Sequence, residues 1–374
     1  MNRIRLIATV KYGLERLAKL ELMALGYDID AVLPGRIEFG ATPADIPHTN
    51  LWLRFADRVR LKIGEFQTSS FEELFEVTKA LPWEAWITPD GKFPVSGKSV
   101  KSKLHSVPTC QSIVKKAIVE RLKEQYDIDW FEETGPTFPV EISMQKNVAL
   151  LSIDTSGVGL HKRGYREEAG EAPLKESLAA ALVAFSDWDQ KQLLLDPMCG
   201  SGTILIEAAM MALNIAPGLN RDFVSEQWPG ISDEIWEAAR ESARNEAQPN
   251  PTIQLVGYDM DSPSVEIARQ NAYKAGVGEN ITFEQQDVND LSVDQQQGTL
   301  ITNPPYGMRI ADYQSVNRIY GTLNKVFRQK KRWSVCVLTA DQEFPRSFKR
   351  AHPDRVQKLY NGQIETEYFQ YHGK

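Results

Sequence analysis

The second half of the chain alternates short apolar runs with helical stretches, and each apolar run ends in a polar or glycine-containing loop. We predict strands at 193–195, 253–258, 281–285, 299–302 and 333–339, two closing strands near 356–371, and helices at 174–185, 204–213, 263–275 and 315–328. Such alternation predicts an α/β fold with a mostly parallel, doubly wound sheet. Ligands of such sheets bind at the carboxyl ends of the strands, so the loops there are the places to search for a site.

The first of these loops lies in the segment LLLDPMCGSGTILIEAA and combines an acid with two glycines. Asp196 ends the apolar run, and Gly200 and Gly202 lie in the turn before the next helix. Glycine lets the backbone approach a ligand closely, and the helix that follows presents free N–H groups. The pattern favours a ligand-binding turn, although a purely structural turn would also explain the glycines.

Two further strand ends carry aspartates. The second strand ends in GYDMD, where the carboxylate of Asp259 can accept both hydroxyls of a ribose. Asp261 is the better candidate for the N-cap of the following helix. Asp287 follows the third strand, where it can accept from an adenine amino group or cap a turn. Three successive strand ends bearing acids favour a shared ligand over capping alone.

The fourth strand end reads TNPPYG and is the most specific signal in the sequence. Two prolines rigidify the loop and remove two N–H donors, so carbonyl acceptors remain. The side-chain oxygen of Asn303 and the carbonyl of Pro304 can hold the two hydrogens of an aromatic amine, and Tyr306 offers a face for a planar base. The alternative is a proline turn with a packed tyrosine.

In this order, DPMCGSGT, GYDMD, QQDV and TNPPYG resemble the motifs of class I amino-methyltransferases, over about residues 170–374. The segments at 99–122 and 159–182 resemble THUMP-domain RNA methyltransferases of the bacterial 23S rRNA guanine-N2 type. The resemblance implies a Rossmann-like methyltransferase domain with a seven-stranded sheet, preceded by ferredoxin-like and THUMP α+β domains.

The resemblance also implies the site residues and the cofactor, S-adenosyl-L-methionine. The residues assigned to this cofactor are Lys175, Glu176, Asp196, Met198, Cys199, Gly200, Gly202, Asp259, Asp287 and Asn303. The catalytic residues, which hold the target base, are Asn303, Pro304, Pro305 and Tyr306. No metal is expected.

The first half of the chain predicts two smaller units. Residues 5–66 read β-α-β-β-α-β, the ferredoxin-like order, and a second mixed unit follows. A polar, glycine-bearing segment then indicates a linker. We therefore predict a ferredoxin-like domain at 1–67, a THUMP domain at 68–156, a linker at 157–172 and a methyltransferase domain at 173–374. The motifs leave the insertion 214–252 unexplained.

The formal charge of −7 conceals an asymmetry. Residues 1–165 hold 22 basic and 21 acidic residues, whereas the remainder holds 21 and 29. Residues 92–123 carry eight basic residues against one acid, and a phosphate backbone responds to such a local field. The candidate RNA-binding residues in this window are Lys98, Lys101, Lys103, Lys115 and Lys116. The alternative is the solvated face of a lysine-rich helix.

The sequence thus predicts an RNA guanine-N2 methyltransferase, with 23S rRNA as the substrate and tRNA as the second choice. An adenine-N6 methyltransferase on DNA or RNA, and a non-catalytic RNA chaperone, remain alternatives. Three widely spaced cysteines and the absence of a long apolar run predict a cytoplasmic protein without a membrane span. The oligomeric state is left open.

Overall fold

A computed structural model describes residues 3–166, 174–249, 253–306, 310–350 and 352–374. The chain divides into two compact units. The first contains residues 1–10, 18–160 and 222–242, and the second contains residues 11–17, 161–221 and 243–374. Most of the insertion 214–252 therefore belongs to the first unit, although both of its ends belong to the second.

One mixed sheet of seven strands organises the first unit. The strands are β1 (Ile4–Val10), β2 (Ile29–Leu33), β3 (Arg36–Ala41), β4 (Ala56–Gln67), β5 (Val95–Val100), β6 (Val140–Gln145) and β7 (Val148–Asp154). The helices of this half of the chain are α1 (Glu15–Ala24), α2 (Asp45–Trp52), α3 (Phe71–Ala80) and α4 (Val107–Tyr126). The strand order is β2-β3-β1-β4-β7-β6-β5, whose first four strands have the predicted ferredoxin-like arrangement.

Strand β4 joins what the sequence analysis treats as two units. It has 12 residues, long enough to pair with β1 on one side and with β7 on the other. The ferredoxin-like and THUMP regions therefore share a continuous sheet. Only β5 and β6 pair in parallel within it.

Aromatic packing holds residues 222–242 within the first unit. The Trp228 ring stacks on Phe138 with centroids 5.1 Å apart, and its indole N–H donates to the Thr137 carbonyl at 2.9 Å. Phe223 and Trp236 stack at 5.3 Å. The unexplained insertion is thus a structural part of the first unit.

The second unit contains the predicted, mostly parallel seven-stranded sheet. Its strands are β8 (Leu194–Asp196), β9 (Leu255–Asp259), β10 (Ile281–Gln285), β11 (Gly298–Thr302), β12 (Trp333–Thr339), β13 (Arg355–Asn361) and β14 (Ile364–Tyr371). The remaining helices of the chain are α5 (Glu176–Phe185), α6 (Thr203–Ala212), α7 (Asp233–Asn245), α8 (Ser262–Lys274), α9 (Ile310–Phe327) and α10 (Phe344–Phe348). The strand order is β10-β9-β8-β11-β12-β14-β13, and β14 runs antiparallel to both neighbours.

Several boundaries differ from those predicted. Helix α5 begins at Glu176, two residues later than predicted, because Lys175 has an extended backbone. Pro173, just before the predicted start of this helix, lies outside the described residues. Helix α9 begins five residues earlier than predicted, and the short helix α10 was not predicted. Within the described parts of the chain, none of the helices is long and apolar enough to cross a bilayer.

The described part of the predicted linker, residues 157–166, contains deeply buried polar side chains. Arg163 and Tyr165 are 2% and 1% exposed. Both reach the buried carboxylate of Glu207 on α6, at 3.4 Å and 3.3 Å. Because the charges are paired, a polar sequence is here part of the core of the second unit.

Candidate active site

A cavity of about 400 Å³ lies at the carboxyl ends of the parallel strands in the second unit. Its lining comes from the loops after β8, β9 and β11 and from the β13–β14 hairpin: Pro197, Met198, Asp259, Met260, Asn303, Pro304, Pro305, Tyr306, Asn361 and Ile364, with Val288 and Ile319. The volume falls in the range of small-molecule sites, about 300–1,000 Å³. The loops that the sequence singles out thus meet around one cavity.

The structure explains the two glycines of the first loop in different ways. Gly202 is the N-cap of α6 at φ +79°, and an added Cβ would lie 2.8 Å from the Phe283 ring. Gly200, at φ +51°, borders open space, since an added Cβ would meet no atom within 4 Å. Gly202 is therefore required by packing and by its backbone conformation, whereas the backbone at Gly200 favours glycine without excluding other residues.

Asp259 ends β9 and lines the cavity. One carboxylate oxygen accepts from the Gly200 N–H at 2.8 Å, and the other accepts from the Asp261 N–H at 3.0 Å. Asp261 itself caps α8 by accepting from the Ser264 N–H at 3.0 Å, as predicted, whereas the contact of Asp259 with ribose stays a prediction. Asp259 is thus free of the capping task and is fixed against the glycine loop.

Asp196 is buried behind the cavity and does not line it. Its carboxylate accepts from the Thr302 hydroxyl at 2.8 Å and from the Met198 N–H at 3.3 Å. Burial raises the pKa of Asp196 to about 7, and these two hydrogen bonds oppose the shift. Asp196 therefore ties the end of β8 to the end of β11, which precedes the loop Asn303–Tyr306 that the sequence predicts to be catalytic.

Asp287 acts as a cap in this structure. It precedes the 3-10 helix Val288–Asp290, and its Oδ1 accepts from both the backbone N–H and the side-chain amide of Asn289 at 2.8 Å. Its neighbour Val288 lines the cavity, whereas Asp287 does not. The capping alternative is observed, and the contact with adenine stays a prediction.

The other residues that the sequence predicts to bind the cofactor lie near the N-termini of helices α5 and α6. Lys175 is the N-cap of α5, and the buried Glu176 lies 3.5 Å from the Arg166 guanidinium. Arg166 also donates to Thr203 at the start of α6, so it links two helix N-termini. Cys199 is buried, which raises the pKa of its thiol. Arg166 was not predicted as a site residue, although it lies in the segment 159–182 that resembles THUMP-domain RNA methyltransferases.

The loop after β11 brings three polar groups into contact. The Tyr306 hydroxyl donates to the Asn303 side-chain oxygen at 2.7 Å and accepts from the Asn361 side-chain nitrogen at 3.1 Å. Pro304 is buried and Pro305 is exposed. Asn361 was also missed, since its only sequence signal is the Asn-Gly turn of a hairpin. Burial raises the pKa of Tyr306 to about 12, so its hydroxyl remains a donor at neutral pH.

The five candidate RNA-binding lysines differ in their surroundings. Lys98 lies on β5, 3.4 Å from Glu141. Lys115, on α4, lies 2.6 Å from Glu133 and 3.5 Å over the Phe93 ring. Both carboxylates come from outside the window 92–123, so the local excess of positive charge is smaller than the sequence count suggests.

The other three lysines are exposed. Lys101 and Lys103 lie in the turn after β5, where neither makes an ion pair with any described residue. Lys116 is on α4, with its amino group 5.7 Å from the Phe75 ring centre. The turn therefore carries the least neutralised charge of the predicted set.

Four features of the second unit together define a class I methyltransferase domain. They are a mostly parallel sheet with this strand order, a glycine turn after the first strand, an acid at the end of the second and an NPPY loop after the fourth. The chain belongs to the RMKL-like methyltransferase family, whose methyltransferase domain matches residues 163–370. Residues 68–154 match the THUMP domain and residues 5–60 match the RlmL ferredoxin-like domain. These matches confirm the resemblance and the fold class predicted from the motifs.

Two curated relatives cover nearly the whole chain. A protein of Bacillus subtilis named putative RNA methyltransferase YpsC is 45% identical, over 100% of this chain and 97% of its own length. The ribosomal RNA large subunit methyltransferase K/L of Syntrophotalea carbinolica is 34% identical over 97% of this chain. The chain spans about half the length of that second relative, 52%.

Two solved structures are similar over the full chain. One, from Listeria monocytogenes, is titled a predicted N6-adenine-specific DNA methylase; it is 45% identical with a TM-score of 0.96, covering 100% of this chain and 97% of that one. The other, SMU.472, is titled a putative methyltransferase complexed with SAH; it is 41% identical with a TM-score of 0.94, covering 100% and 99%.

Proposed function

We propose that this protein transfers a methyl group from S-adenosyl-L-methionine to the N2 amino group of a guanine in 23S rRNA. The observation that carries the proposal is that Asp259 and the Asn303–Tyr306 loop line one cavity. A cofactor-holding carboxylate and an amine-holding amide within one enclosed space suit the direct transfer of a methyl group. The relatives named as RNA and ribosomal RNA methyltransferases support RNA as the substrate.

The cavity residues fit this cofactor. Open space beside Gly200 allows a ligand to approach the backbone, Asp259 offers a carboxylate for ribose hydroxyls, and Met260 and Val288 offer apolar walls for an adenine ring. Met198 also lines the cavity, next to the glycine turn. The solved relative complexed with SAH, at 41% identity, supports this cofactor.

When bound, S-adenosyl-L-methionine supplies a methyl group already activated by the sulfonium charge. The protein must then orient an amine lone pair in line with that methyl group. We assign the two N–H groups of the amine to the Asn303 side-chain oxygen and the Pro304 carbonyl. These acceptors favour a more tetrahedral nitrogen, and the proton of the product leaves to solvent.

The amine can enter this cavity only from an unstacked base. Looped or single-stranded RNA offers such a base at lower cost than a duplex does. The THUMP match at 68–154 supports RNA docking by the first unit, and we assign this contact to the lysines around β5 and α4. We place the protein in the cytoplasm with its RNA.

A second candidate is methyl transfer to adenine N6. Its support is the similar structure from Listeria monocytogenes, which is named a predicted N6-adenine-specific DNA methylase. Both candidates use the same loop, because each target is an exocyclic amine on a planar ring. They differ in the product nucleoside, which can be measured directly.

The test uses the purified full chain, labelled S-adenosyl-L-methionine and unmodified 23S rRNA, tRNA and DNA. After digestion, we expect labelled N2-methylguanosine from 23S rRNA alone. Labelled N6-methyladenine would establish the second candidate instead, and label in tRNA alone would replace the substrate. The Asn303→Ala variant should lose most turnover while its affinity for the cofactor changes little.

A further inference from the structure

The second unit contains another cavity of about 400 Å³, at the end of its sheet where β12 and β13 begin and β14 ends. Residues before β12, after α10 and at the end of β14 line it. The length of β12, seven residues or roughly 20 Å, separates this end of the sheet from the loops of the candidate active site. The second cavity therefore shares no lining residue with the candidate active site.

Positive charge dominates this second cavity. Five cationic side chains line it against the single carboxylate of Asp354: Arg328, Lys331, Lys349, Arg350 and Lys374. His352 and His372 also line it. Asp354 accepts from the His372 backbone N–H at 2.9 Å and lies 4.0 Å from the Lys374 amino group, so it neutralises one of these five charges. A concave surface lined mainly by charges of one sign concentrates this positive field.

Two buried donors of this cavity have no hydrogen-bond partner among the described residues. They are the Tyr371 hydroxyl and one terminal nitrogen, Nη1, of Arg350. Tyr371 is only 2% exposed, and its ring packs on Phe348 with centroids 5.0 Å apart. A buried donor without an acceptor is unfavourable, so two such donors on residues that line one cavity point to a ligand acceptor there.

The protonation states suit an anion. Burial raises the pKa of Tyr371 to about 12, and the Arg350 guanidinium nearby opposes that shift. The hydroxyl is therefore a donor at neutral pH. Among the described residues, the other terminal nitrogen of Arg350 makes two long contacts of 3.5 Å, to the carbonyls of Lys330 and Lys331. Its Nη1 therefore remains a donor for a ligand.

We propose that this second cavity binds a phosphate group, held by Arg350 and the Tyr371 hydroxyl and surrounded by lysines. Phosphate oxygens accept from several donors at once, and arginine binds them in a fixed fork. The group belongs either to the RNA backbone or to a small phosphorylated ligand. The RNA source rests on the proposed function, whereas phosphate binding itself does not.

The first arm of the test titrates inorganic phosphate into the full chain at low salt, followed by calorimetry. We expect binding by the parent, and a loss of about tenfold in affinity for Tyr371→Phe and for Arg350→Gln, since a hydrogen bond to a charged group contributes about 1.5–3 kcal/mol. Arg346→Gln is the matched control: Arg346 is on α10 and its side chain is 82% exposed, outside the cavity. No phosphate binding by the parent, or equal binding by all variants, would overturn the proposal.

The second arm compares RNA binding by the parent and by Arg350→Gln over a range of salt concentrations. If the RNA backbone supplies the phosphate, the slope of log affinity against log salt should fall by about 0.7–0.9. An unchanged slope together with weakened phosphate binding identifies a small phosphorylated ligand. The first arm uses neither RNA nor cofactor, so failure of the methyltransferase proposal would leave its result intact.

Discussion

The Tyr306 hydroxyl donates a 2.7 Å hydrogen bond to the side-chain oxygen of Asn303, three residues earlier in the same loop. This oxygen is the acceptor that we assign to the target amine, so its position is set before any base arrives. The same hydroxyl accepts from Asn361 at the end of β13. The closing hairpin thus contacts the loop directly, and we expect Asn361 to act as a positioning residue.

We predict that Asn361→Ala lowers the rate of methyl transfer about two- to tenfold, because a neutral hydrogen bond contributes about 0.5–1.5 kcal/mol. Cofactor affinity should stay unchanged. The measurement is single-turnover transfer to RNA, with calorimetry for the cofactor. Gln363→Ala, an exposed change in the same hairpin turn, is the control.

A double-mutant cycle separates positioning from a structural effect. If Asn361 acts through the Tyr306 hydroxyl, then adding Asn361→Ala to Tyr306→Phe should change the rate little. An equal loss in both backgrounds would show that Asn361 acts by another route.

Asp259→Ala should weaken S-adenosyl-L-methionine binding about tenfold or more, since hydrogen bonds from ribose hydroxyls to a charged acceptor are lost at roughly 1.5–3 kcal/mol each. The control is Asp261→Ala, which removes the cap of α8 and should lower stability without moving the cofactor affinity. Calorimetry on both folded variants gives the comparison. Unchanged affinity for Asp259→Ala would exclude this carboxylate from the site.

Asp196 should make stability depend on pH. Burial raises its pKa from 3.8 to about 7, so between these values the folded state binds a proton that the unfolded state has released. Stability from this group is therefore greatest at low pH and is lost as pH rises towards 7. Asp196→Asn remains neutral and keeps an oxygen for Thr302. We expect its unfolding free energy relative to the parent to rise by roughly 2–4 kcal/mol between pH 5 and pH 8. A difference that is the same at both pH values, measured by urea unfolding, would contradict the shifted pKa.

The sequence predicts those parts of the site that are local in the chain. Asp196 and Asp259 are the last residues of their strands and Asn303 directly follows β11, and parallel strands bring their carboxyl ends to one edge. Asn361 lies 55 residues beyond Tyr306 and reaches it only because β13 pairs with β14, which pairs with β12. No local pattern records such a contact.

The fold also has parts that the local sequence predicts and parts that depend on contacts between distant segments. The order of helices and strands follows from periodicity, so both sheets could be predicted element by element. The joining of the first sheet through β4, and the return of residues 222–242 to the first unit, depend on pairing and aromatic packing between distant segments. The domain bounds 1–67, 68–156, 157–172 and 173–374 stay a prediction, which limited proteolysis can examine.

The charged window of the first unit shows why a residue count overstates a binding surface. Glu133 and Glu141, both outside the window 92–123, partly neutralise Lys115 and Lys98. Among the described residues, Lys101 and Lys103 in the turn after β5 pair with no such acid, and neither does Lys116. If the window docks RNA, these two lysines should provide most of its phosphate contacts.

Two matched double variants test this order of importance. We predict that replacing Lys101 and Lys103 with alanine lowers the slope of log RNA affinity against log salt by about 1.4–1.8, because each lost phosphate contact removes about 0.7–0.9. Replacing Lys115 and Lys116 should lower it less, since Lys115 already pairs with Glu133. Replacing all four should give the largest change and leave cofactor affinity untouched. Filter-binding measurements at several salt concentrations give these slopes. If the fourfold variant has the same slope as the parent, these lysines form a solvated face and do not bind RNA. The stretch Lys325–Arg332 would then be the next candidate for the RNA contact.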